Sequence, residues 1–353
     1  MRIAGPTSGF ARRALLLLGM LCLAPFPAQA ATEAEVLEVA KQAAGGIAPA
    51  RERLERMAGE GEALAAHMLG VLHLRGQGVP RDEALALDWF AKAAKLGRAD
   101  SAHNVGVIYE RSSGSLKDPA EARGWYRIAA GKGHAGAQAN LGNMLAEGIG
   151  GAADPDEARA WIEKAVAQGE PRGYYLLGRL ALEGRAGIAK DPAAAEKHIR
   201  LAAEKGDRDA QYELSRLLGT GLGMEKNVIE ALDWLRKAAD QRHPEAEFRL
   251  GVAYARGVYN LRRDEAAAVN WLRRSARQDH IEAMVALGYA YAEGRGVPRD
   301  ATEAYGWMLE ASRKGSPEAI EFVRRIQAKR PPPDSAPPPD SPPPAAAPRE
   351  TRP

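Results

Sequence analysis

Cysteine is nearly absent from this chain of 353 residues, because Cys22 is the only one. Cys22 lies in a segment that carries the marks of a secretory signal peptide. Arg2, Arg12 and Arg13 form a basic start, an apolar run follows, and Ala28-Gln29-Ala30 offers a small-x-small cleavage site. Residues 1–30 are therefore predicted to be removed. The mature chain would then hold no disulfide, no thiolate metal site and no cysteine nucleophile.

An excess of charge of one sign is also missing. The chain holds 49 Lys and Arg residues against 46 Asp and Glu residues, and the predicted signal peptide holds three arginines and no acidic residue. The mature chain is therefore predicted to be balanced, which argues against a general nucleic-acid or anionic-membrane partner. The apolar run of residues 1–30 is shorter than a membrane span needs. We expect an exported protein of the periplasm or the extracellular space, without an integral membrane segment after cleavage.

Recognisable catalytic and metal-binding patterns are lacking as well. No two of the seven histidines have the i, i+4 spacing of a zinc-binding helix, and no Gly-Lys-Ser/Thr phosphate loop occurs. His67 and His103 occupy equivalent positions of an internal repeat, which favours a structural role. We therefore predict no catalytic residue, no metal and no cofactor.

What the sequence does contain is an internal repeat of 36–37 residues. All six tryptophans keep one register: Trp89, Trp125, Trp161, Trp234, Trp271 and Trp307. His198 fills the one empty position. A glycine precedes each of these positions by nineteen or twenty residues, with Ser215 as the exception, and an alanine always precedes them by three. This register indicates stacked repeats that share one continuous core.

One repeat has the features of a helical hairpin. Helix A, for example residues 65–75, is followed by a glycine-rich turn, a capping residue such as Asp82 and helix B, which carries the tryptophan. A short acceptor side chain before a helix is a preferred N-cap. Glycine usually follows helix B, but Arg242 and Asp279 replace it, so these two helix ends are expected to differ locally. The tryptophan is expected to fill the core between hairpins, so that Trp161→Ala would cost about 3–5 kcal/mol.

The repeat resembles the Sel-1-like repeat (SLR) family, which is related to the tetratricopeptide repeats. The last repeat shows the pattern best, from Ala283 and Gly288 through Gly294-Arg295-Gly296 to Ala304 and Trp307. The resemblance implies an all-α fold, a right-handed solenoid of about seven helix-turn-helix repeats. It also implies an adaptor that binds other proteins. Degenerate turns at residues 112–116 and 258–262 are departures that concern local turn geometry.

These observations predict five regions. They are a signal peptide (1–30), an N-terminal helical cap (31–64), seven repeats (65–318), a C-terminal capping helix (319–330) and a disordered proline-rich tail (331–353). We expect a scaffold of the bacterial cell envelope that holds a peptide or protein in its concave groove. The alternatives are binding of peptidoglycan or another glycan, and a β-lactamase-like hydrolase, against which the missing cysteines and the missing Ser/Lys motif count.

The candidate groove residues come from a polar stripe on helix A. Counted from the repeat glycine, the positions minus two, plus one and plus five vary and are often polar. Spaced by three and four residues, they share one face of a helix. In related superhelices the first helix of each hairpin lines the concave side. The predicted partner-binding residues are Asn140, Asn143, Glu147, Arg179, Glu183, Glu213, Arg216, Arg249, Arg256, Tyr289 and Glu293.

Overall fold

The computed structural model of the protein describes residues 31–328, so the predicted signal peptide and proline-rich tail lie outside the described residues. Over this range the regular structure is helical and includes no strand. The α-helices are α1 Glu33–Ala44, α2 Ala48–Gly59, α3 Ala63–Arg75, α4 Glu83–Lys95, α5 Ala99–Arg111, α6 Pro119–Gly131, α7 Ala135–Glu147, α8 Pro155–Ala167, α9 Pro171–Glu183, α10 Pro192–Glu204, α11 Arg208–Thr220, α12 Val228–Asp240, α13 Pro244–Arg256, α14 Glu265–Ala276, α15 Ile281–Glu293, α16 Ala301–Arg313 and α17 Pro317–Ala328.

The helices form hairpins, as predicted. The odd-numbered helices from α3 to α15 are the A helices, and each is followed by its B helix, α4 to α16. The chain divides into two compact units at the Ser101–Ala102 bond, the second of which contains α6 to α17. Within this second unit, α7 packs directly on α9, and α9 on α11, in addition to the hairpin contacts. The predicted all-α solenoid is confirmed. Its last helix, α17, begins at Pro317, two residues before the predicted capping helix.

Every B helix begins directly after the predicted capping residue. The Asp154 carboxylate accepts a hydrogen bond from the Glu157 N–H at 2.9 Å, and Asn227 caps α12 in the same way at 3.1 Å. Such a bond satisfies one of the donors that the first turn of a helix leaves unpaired. The other caps of this kind are Asp82, Asp118, Asp191, Asp264 and Asp300. The start of each B helix was therefore readable from the sequence.

The repeat glycine of helix A makes room for one large side chain of helix B. A Cβ atom on Gly142 would lie 2.5 Å from Cγ1 of Ile162, and one on Gly178 would lie 2.6 Å from Cγ1 of Ile199. Both isoleucines are fully buried. The same packing joins Gly70 to Phe90, Gly106 to Tyr126, Gly251 to Leu272 and Gly288 to Met308. The glycine is therefore needed for close helix packing, and its partner is the residue directly after the tryptophan position.

The tryptophans themselves lie at the edge of the core, which corrects the prediction that they fill it. Of the six, only Trp234 is buried, at 8% exposure, and Trp161 is half-buried. The Trp161 indole N–H donates to Glu157 at 3.1 Å, and the Lys164 ammonium lies 3.9 Å from the ring centre. An indole that keeps a polar edge and a cation on its face suits a boundary between core and water.

The helix end at Arg242 differs from the prediction, whereas α14, before Asp279, ends one residue earlier than the other B helices of 13 residues, as a local difference would require. Both residues adopt the left-handed backbone of the glycines that they replace, with φ of 62° and 66°. The His243 N–H donates to the Ala238 carbonyl at 3.0 Å, and the equivalent bond in the glycine-containing repeat joins His134 to Ala129 at 3.1 Å. The shared hydrogen bond fixes the backbone at this position. Arg242 therefore carries the strain of a left-handed conformation without changing this hydrogen bond of the turn.

The second glycine of the turn after helix A touches the preceding hairpin. A Cβ atom on Gly150, in the α7–α8 turn, would lie 2.2 Å from the Pro119 carbonyl oxygen at the start of α6. Gly223 stands in the same way against Pro192, and Gly296 against Glu265. This close backbone approach explains the glycine-rich turn.

Candidate functional site

The predicted polar stripe lies on five A helices of the second unit. Asn140, Asn143, Arg179, Glu213 and Tyr289 are half-buried, and the remaining six residues are exposed. The exposed members are Glu147, Glu183, Arg216, Arg249, Arg256 and Glu293. The structure thus places all eleven residues where solvent or a partner can reach them.

Two neighbouring A helices join their stripe residues directly. The Arg179 guanidinium on α9 donates to the Asn143 side-chain oxygen at 2.8 Å and to the Glu147 carboxylate at 2.7 Å, both on α7. Arg185, in the turn after α9, donates to Glu147 at 3.0 Å and to Glu183 at 3.0 Å. The pKa of Arg185 is raised by these carboxylates. The α7–α9 part of the stripe is thus a network of fixed charges.

A pocket of about 380 Å³ separates α9 from α11. Charged and apolar side chains line it together, among them Arg179, Glu213, Arg216, Tyr175 and Leu222. Arg216 donates to Glu213 at 3.0 Å, and this hydrogen bond raises the pKa of Arg216. Burial raises the pKa of Tyr175 to about 12, so its hydroxyl keeps its proton at neutral pH. The pocket offers hydrogen-bond donors of both kinds, guanidinium and phenol, beside an apolar surface.

Between α13 and α15 the stripe connects to a charged group that the sequence did not point out. Glu245 accepts hydrogen bonds from Nε2 of His280 at 2.7 Å and from Arg249 at 2.6 Å. These two donors, His280 foremost, lower the pKa of Glu245 to about 2. The carboxylate is therefore ionised throughout the physiological pH range and holds Arg249 in place along the stripe.

A wider groove of about 840 Å³ follows, between α13, α15 and the start of α17. Its floor is apolar, with Phe248 and Val252 from α13 and Val285 and Tyr289 from α15. Arg256 is the second predicted residue that lines it. Dimensions and a mainly apolar lining of this kind are typical of ligand and peptide sites.

Ring-bearing residues stand three positions before the repeat glycine in several repeats, and the sequence reasoning took up only the histidines among them, His67 and His103. His103, Tyr175, Tyr212 and Phe248 occupy this position, and Phe248 forms part of the groove floor. Tyr212 stacks on His243 at a ring separation of 4.7 Å, and Phe248 stacks on His280 at 4.8 Å. The signal was present as Tyr or Phe at this position in the fourth, fifth and sixth repeats.

The stacked histidines cap the A helices. Nδ1 of His243 accepts a hydrogen bond from the Ala246 N–H at 3.2 Å at the start of α13, and His134 and His280 cap α7 and α15 in the same way. An acceptor at Nδ1 requires that this nitrogen carry no proton. These three histidines therefore contribute to helix initiation through an unprotonated Nδ1.

This arrangement predicts that the protein loses stability as the pH falls below about 6.5. Burial lowers the pKa of His243 and of His67 in the folded chain from the ordinary value of 6.5. The unfolded chain then binds more protons than the folded one between the two pKa values, so stability is present above 6.5 and is lost as pH falls toward the folded pKa. Glu245 does not contribute in this window, because its own loss begins below 4.5.

Melting temperatures measured between pH 7.5 and pH 5 check this expectation. Asp209 lies 3.7 Å from His243, and Arg208 and Glu245 also act on its pKa, so these groups are kept unchanged. The matched variant is His243→Asn, which keeps an N-cap acceptor that does not titrate. Its melting temperature should fall less with acid than that of the wild type. If the melting temperatures of the two proteins fall equally between pH 7.5 and pH 5, His243 does not cause the loss of stability in acid.

Residues 31–328 contain neither a candidate metal site nor a candidate membrane span. No cluster of three or more His, Cys, Asp or Glu side chains with metal-binding geometry occurs in this range. None of the helices described there has the length and apolar character that a membrane crossing requires.

A family of known repeat proteins matches the chain hairpin by hairpin. The Sel1 repeat model matches residues 63–97, 99–134, 135–170, 171–207, 208–243, 244–280 and 281–316. A crystal structure of a Sel1 repeat protein from Oxalobacter formigenes is 27% identical, with a TM-score of 0.57, and the match covers 83% of this chain and 86% of that one. A protective antigen of uropathogenic Escherichia coli with an SLR fold is also 27% identical, with a TM-score of 0.48, over 83% of this chain and 67% of that one.

A curated relative matches over a short stretch. It is a sel1-like repeat-containing protein of Acanthamoeba polyphaga mimivirus, 38% identical over 47 residues, which is 13% of this chain and 8% of that protein. The chain therefore spans a small part of the length of this relative. Seven tandem matches to one repeat, each ending in the turn before the next A helix, agree with the hairpins described above.

Proposed function

Because this chain belongs to the Sel1 repeat family, we propose that it is a scaffold of the bacterial cell envelope that holds a peptide or protein against its A helices. Proteins built from Sel1 and related repeats generally mediate protein–protein interactions. The observation that carries the proposal is the continuous row of charged and aromatic side chains along α7 to α15, which adjoins an apolar groove. The envelope location rests on the signal peptide that residues 1–30 predict.

The chemistry of the stripe favours a protein ligand. Arginine and tyrosine provide planar, hydrogen-bonding contacts and are enriched where proteins bind each other strongly. Arg179 and Arg216 directly follow the repeat position of α9 and α11, Arg249 lies two residues before the repeat glycine of α13, and each is held by a carboxylate. The resulting ladder of guanidinium groups suits carboxylate groups and main-chain carbonyls of an extended chain.

Charge reversal of this ladder tests the proposal. We expect Arg179→Glu/Arg216→Glu/Arg249→Glu to capture about tenfold less partner protein, or even less, in crosslinking and affinity purification from the native envelope. The reason is that like charges that face each other in an interface are costly. Quantitative mass spectrometry of the captured proteins, with the wild type as reference, provides the measurement. Circular dichroism confirms that the variant is helical.

A matched control lies on a B helix. Arg159 of α8 is exposed and pairs with Glu163, four residues later, at 2.8 Å, as Arg249 pairs with Glu245. Arg159→Glu should capture the same proteins as the wild type. If the triple variant also captures them undiminished, the A-helix stripe is not the binding surface. A parallel pull-down with purified sacculi separates a protein partner from peptidoglycan.

A further inference from the structure

The groove between α13, α15 and α17 has a cationic end. Arg256 is the last residue of α13, Arg263 immediately precedes the N-cap of α14, and Arg295 lies two residues after α15. Their side chains are far from buried, since Arg263 is 66% and Arg295 51% exposed. Arg263 pairs with Glu265, and Arg295 pairs with Glu293 at 2.8 Å. Among the described residues, Arg256 is in no ion pair and provides a spare positive charge at the edge of an apolar floor.

The other end of the groove is formed by the helix from which the chain continues past residue 328. Pro317 and Glu318 at the start of α17 line the groove, and Phe322 of α17 meets Tyr289 edge to face at 6.1 Å between ring centres. α17 begins at this wall of the groove and ends at Ala328, so the segment outside the described residues is joined to the groove through this one helix.

That segment has the composition of a groove ligand. Between Pro331 and Pro348 it holds only proline, alanine, serine and two aspartates, Asp334 and Asp340, which are its only charged residues. Runs of proline favour the extended polyproline II conformation, which aromatic-lined grooves bind at low entropic cost. Eighteen residues in that form reach about 56 Å. The twelve residues of α17 extend over only about 18 Å, so the segment can return along the whole helix and still enter the groove.

We propose that residues 331–348 dock in the α13–α15–α17 groove of the same molecule and occupy it until a partner displaces them. The prolines lie against Phe248 and Tyr289, and Asp334 and Asp340 face the arginines at the cationic end. The proposal rests on the proposed function, since it assigns an internal ligand to part of the same binding face. A tethered segment has an effective concentration in the millimolar range, so even a weak contact keeps the groove filled.

Peptide binding to the full chain tests the docking. The probe is a fluorescein-labelled peptide with the sequence of residues 331–348, and its fluorescence anisotropy is measured with four full-length proteins. The wild type should bind it weakly, because its own segment competes. Asp334→Lys/Asp340→Lys, in which the internal segment is repelled, should bind it about tenfold more tightly or better, the gain expected when a millimolar internal competitor is removed.

A pair of quadruple variants separates the groove from general electrostatics. Adding Arg256→Glu/Arg295→Glu to the aspartate variant should abolish peptide binding. Adding Arg127→Glu/Arg159→Glu, which changes two exposed B-helix arginines and gives the same net charge, should leave it intact. Equal binding by wild type and aspartate variant, absence of binding by both, or equal loss in the two quadruple variants would each overturn the proposal.

Light scattering distinguishes docking within one molecule from docking between two molecules. A monomer at all concentrations is expected for internal docking. A dimer that forms with rising concentration and disappears in the aspartate variant would place the segment in the groove of a second copy and overturn internal docking. None of these measurements involves an outside partner, so failure of the docking leaves the capture experiment on Arg179, Arg216 and Arg249 to judge the proposed function by itself.

Discussion

Replacing Ile162 with alanine is expected to lower the free energy of unfolding by about 2–5 kcal/mol, whereas Trp161→Ala costs only about 1–2 kcal/mol. Ile162 is fully buried and fills the space above Gly142, so its removal leaves a cavity between α7 and α8. Trp161 is half-buried, and its loss removes a hydrogen bond and a cation contact that water partly replaces.

Urea denaturation of the two variants and the wild type, followed by circular dichroism, provides the comparison. Ile162→Val is the matched control, because it removes one methyl group and should cost about 0.5–1.5 kcal/mol. We expect Ile162→Ala to lose the most unfolding free energy. Trp161→Ala and Ile162→Val should each lose much less. A Trp161→Ala variant as unstable as Ile162→Ala would restore the tryptophan to the core and refute the assignment made from the structure.

A second large effect is expected at Arg274, whose replacement by alanine should cost about 3–5 kcal/mol. Its partner Glu247 is completely buried on α13. Arg274 donates from Nε to that carboxylate at 2.8 Å and from Nη2 to the Ala239 carbonyl at 2.9 Å, while Gln278 donates to the second carboxylate oxygen at 2.6 Å. Without Arg274 the buried carboxylate keeps a single neutral donor, and a main-chain carbonyl loses its partner.

Other repeats indicate how to rescue this variant. Gln138 and Gln211 occupy the same repeat position as Glu247. Each donates to the carbonyl eight residues earlier, Ala130 at 3.2 Å and Ala203 at 3.1 Å, and accepts from a glutamine thirty residues later at 2.7 and 2.8 Å. A glutamate cannot donate to that carbonyl, so in this one repeat Arg274 does so instead.

The double variant Glu247→Gln/Arg274→Ala should therefore recover most of the lost stability, since a glutamine at position 247 can reach the Ala239 carbonyl and accept from Gln278. A double-mutant cycle on the free energies of unfolding, with Glu247→Gln alone as the fourth corner, measures the coupling. Additive effects, with the double variant no more stable than Arg274→Ala, would show that the carboxylate is not what Arg274 neutralises.

The hairpins and their caps were predictable because they depend on local chemistry in a fixed register. Asp154 precedes Pro155 and a helical stretch, and the glycine-rich turns stand at a constant distance from the tryptophans. The core assignment was not predictable to the same degree. Trp161 and Ile162 are neighbours with the same period, so periodicity marks both, and only packing decides which of them faces Gly142.

The candidate site shows a similar limit. The residues of the stripe lie on A helices, and positions three and four residues apart share a helix face. The pairing of Arg179 with Glu147 joins residues 32 positions apart in sequence, and the sequence does not specify their distance. Tyr212 and Phe248 lie one residue before the first position of the polar stripe. A pattern of polar residues alone therefore does not include them. Whether the stripe binds a partner is a prediction that the capture experiment decides.

The buried polar bridge at Glu247 has a consequence for how such an array changes over time. Glu247, Arg274 and Gln278 all belong to one hairpin, and so do Gln138 and Gln168. What each bridge needs from the preceding hairpin is a main-chain carbonyl, which any amino acid supplies. As far as this bridge is concerned, a hairpin can be duplicated, deleted or exchanged without a compensating substitution in the preceding one. The number of hairpins can therefore change without leaving the buried Gln or Glu of this position unpaired.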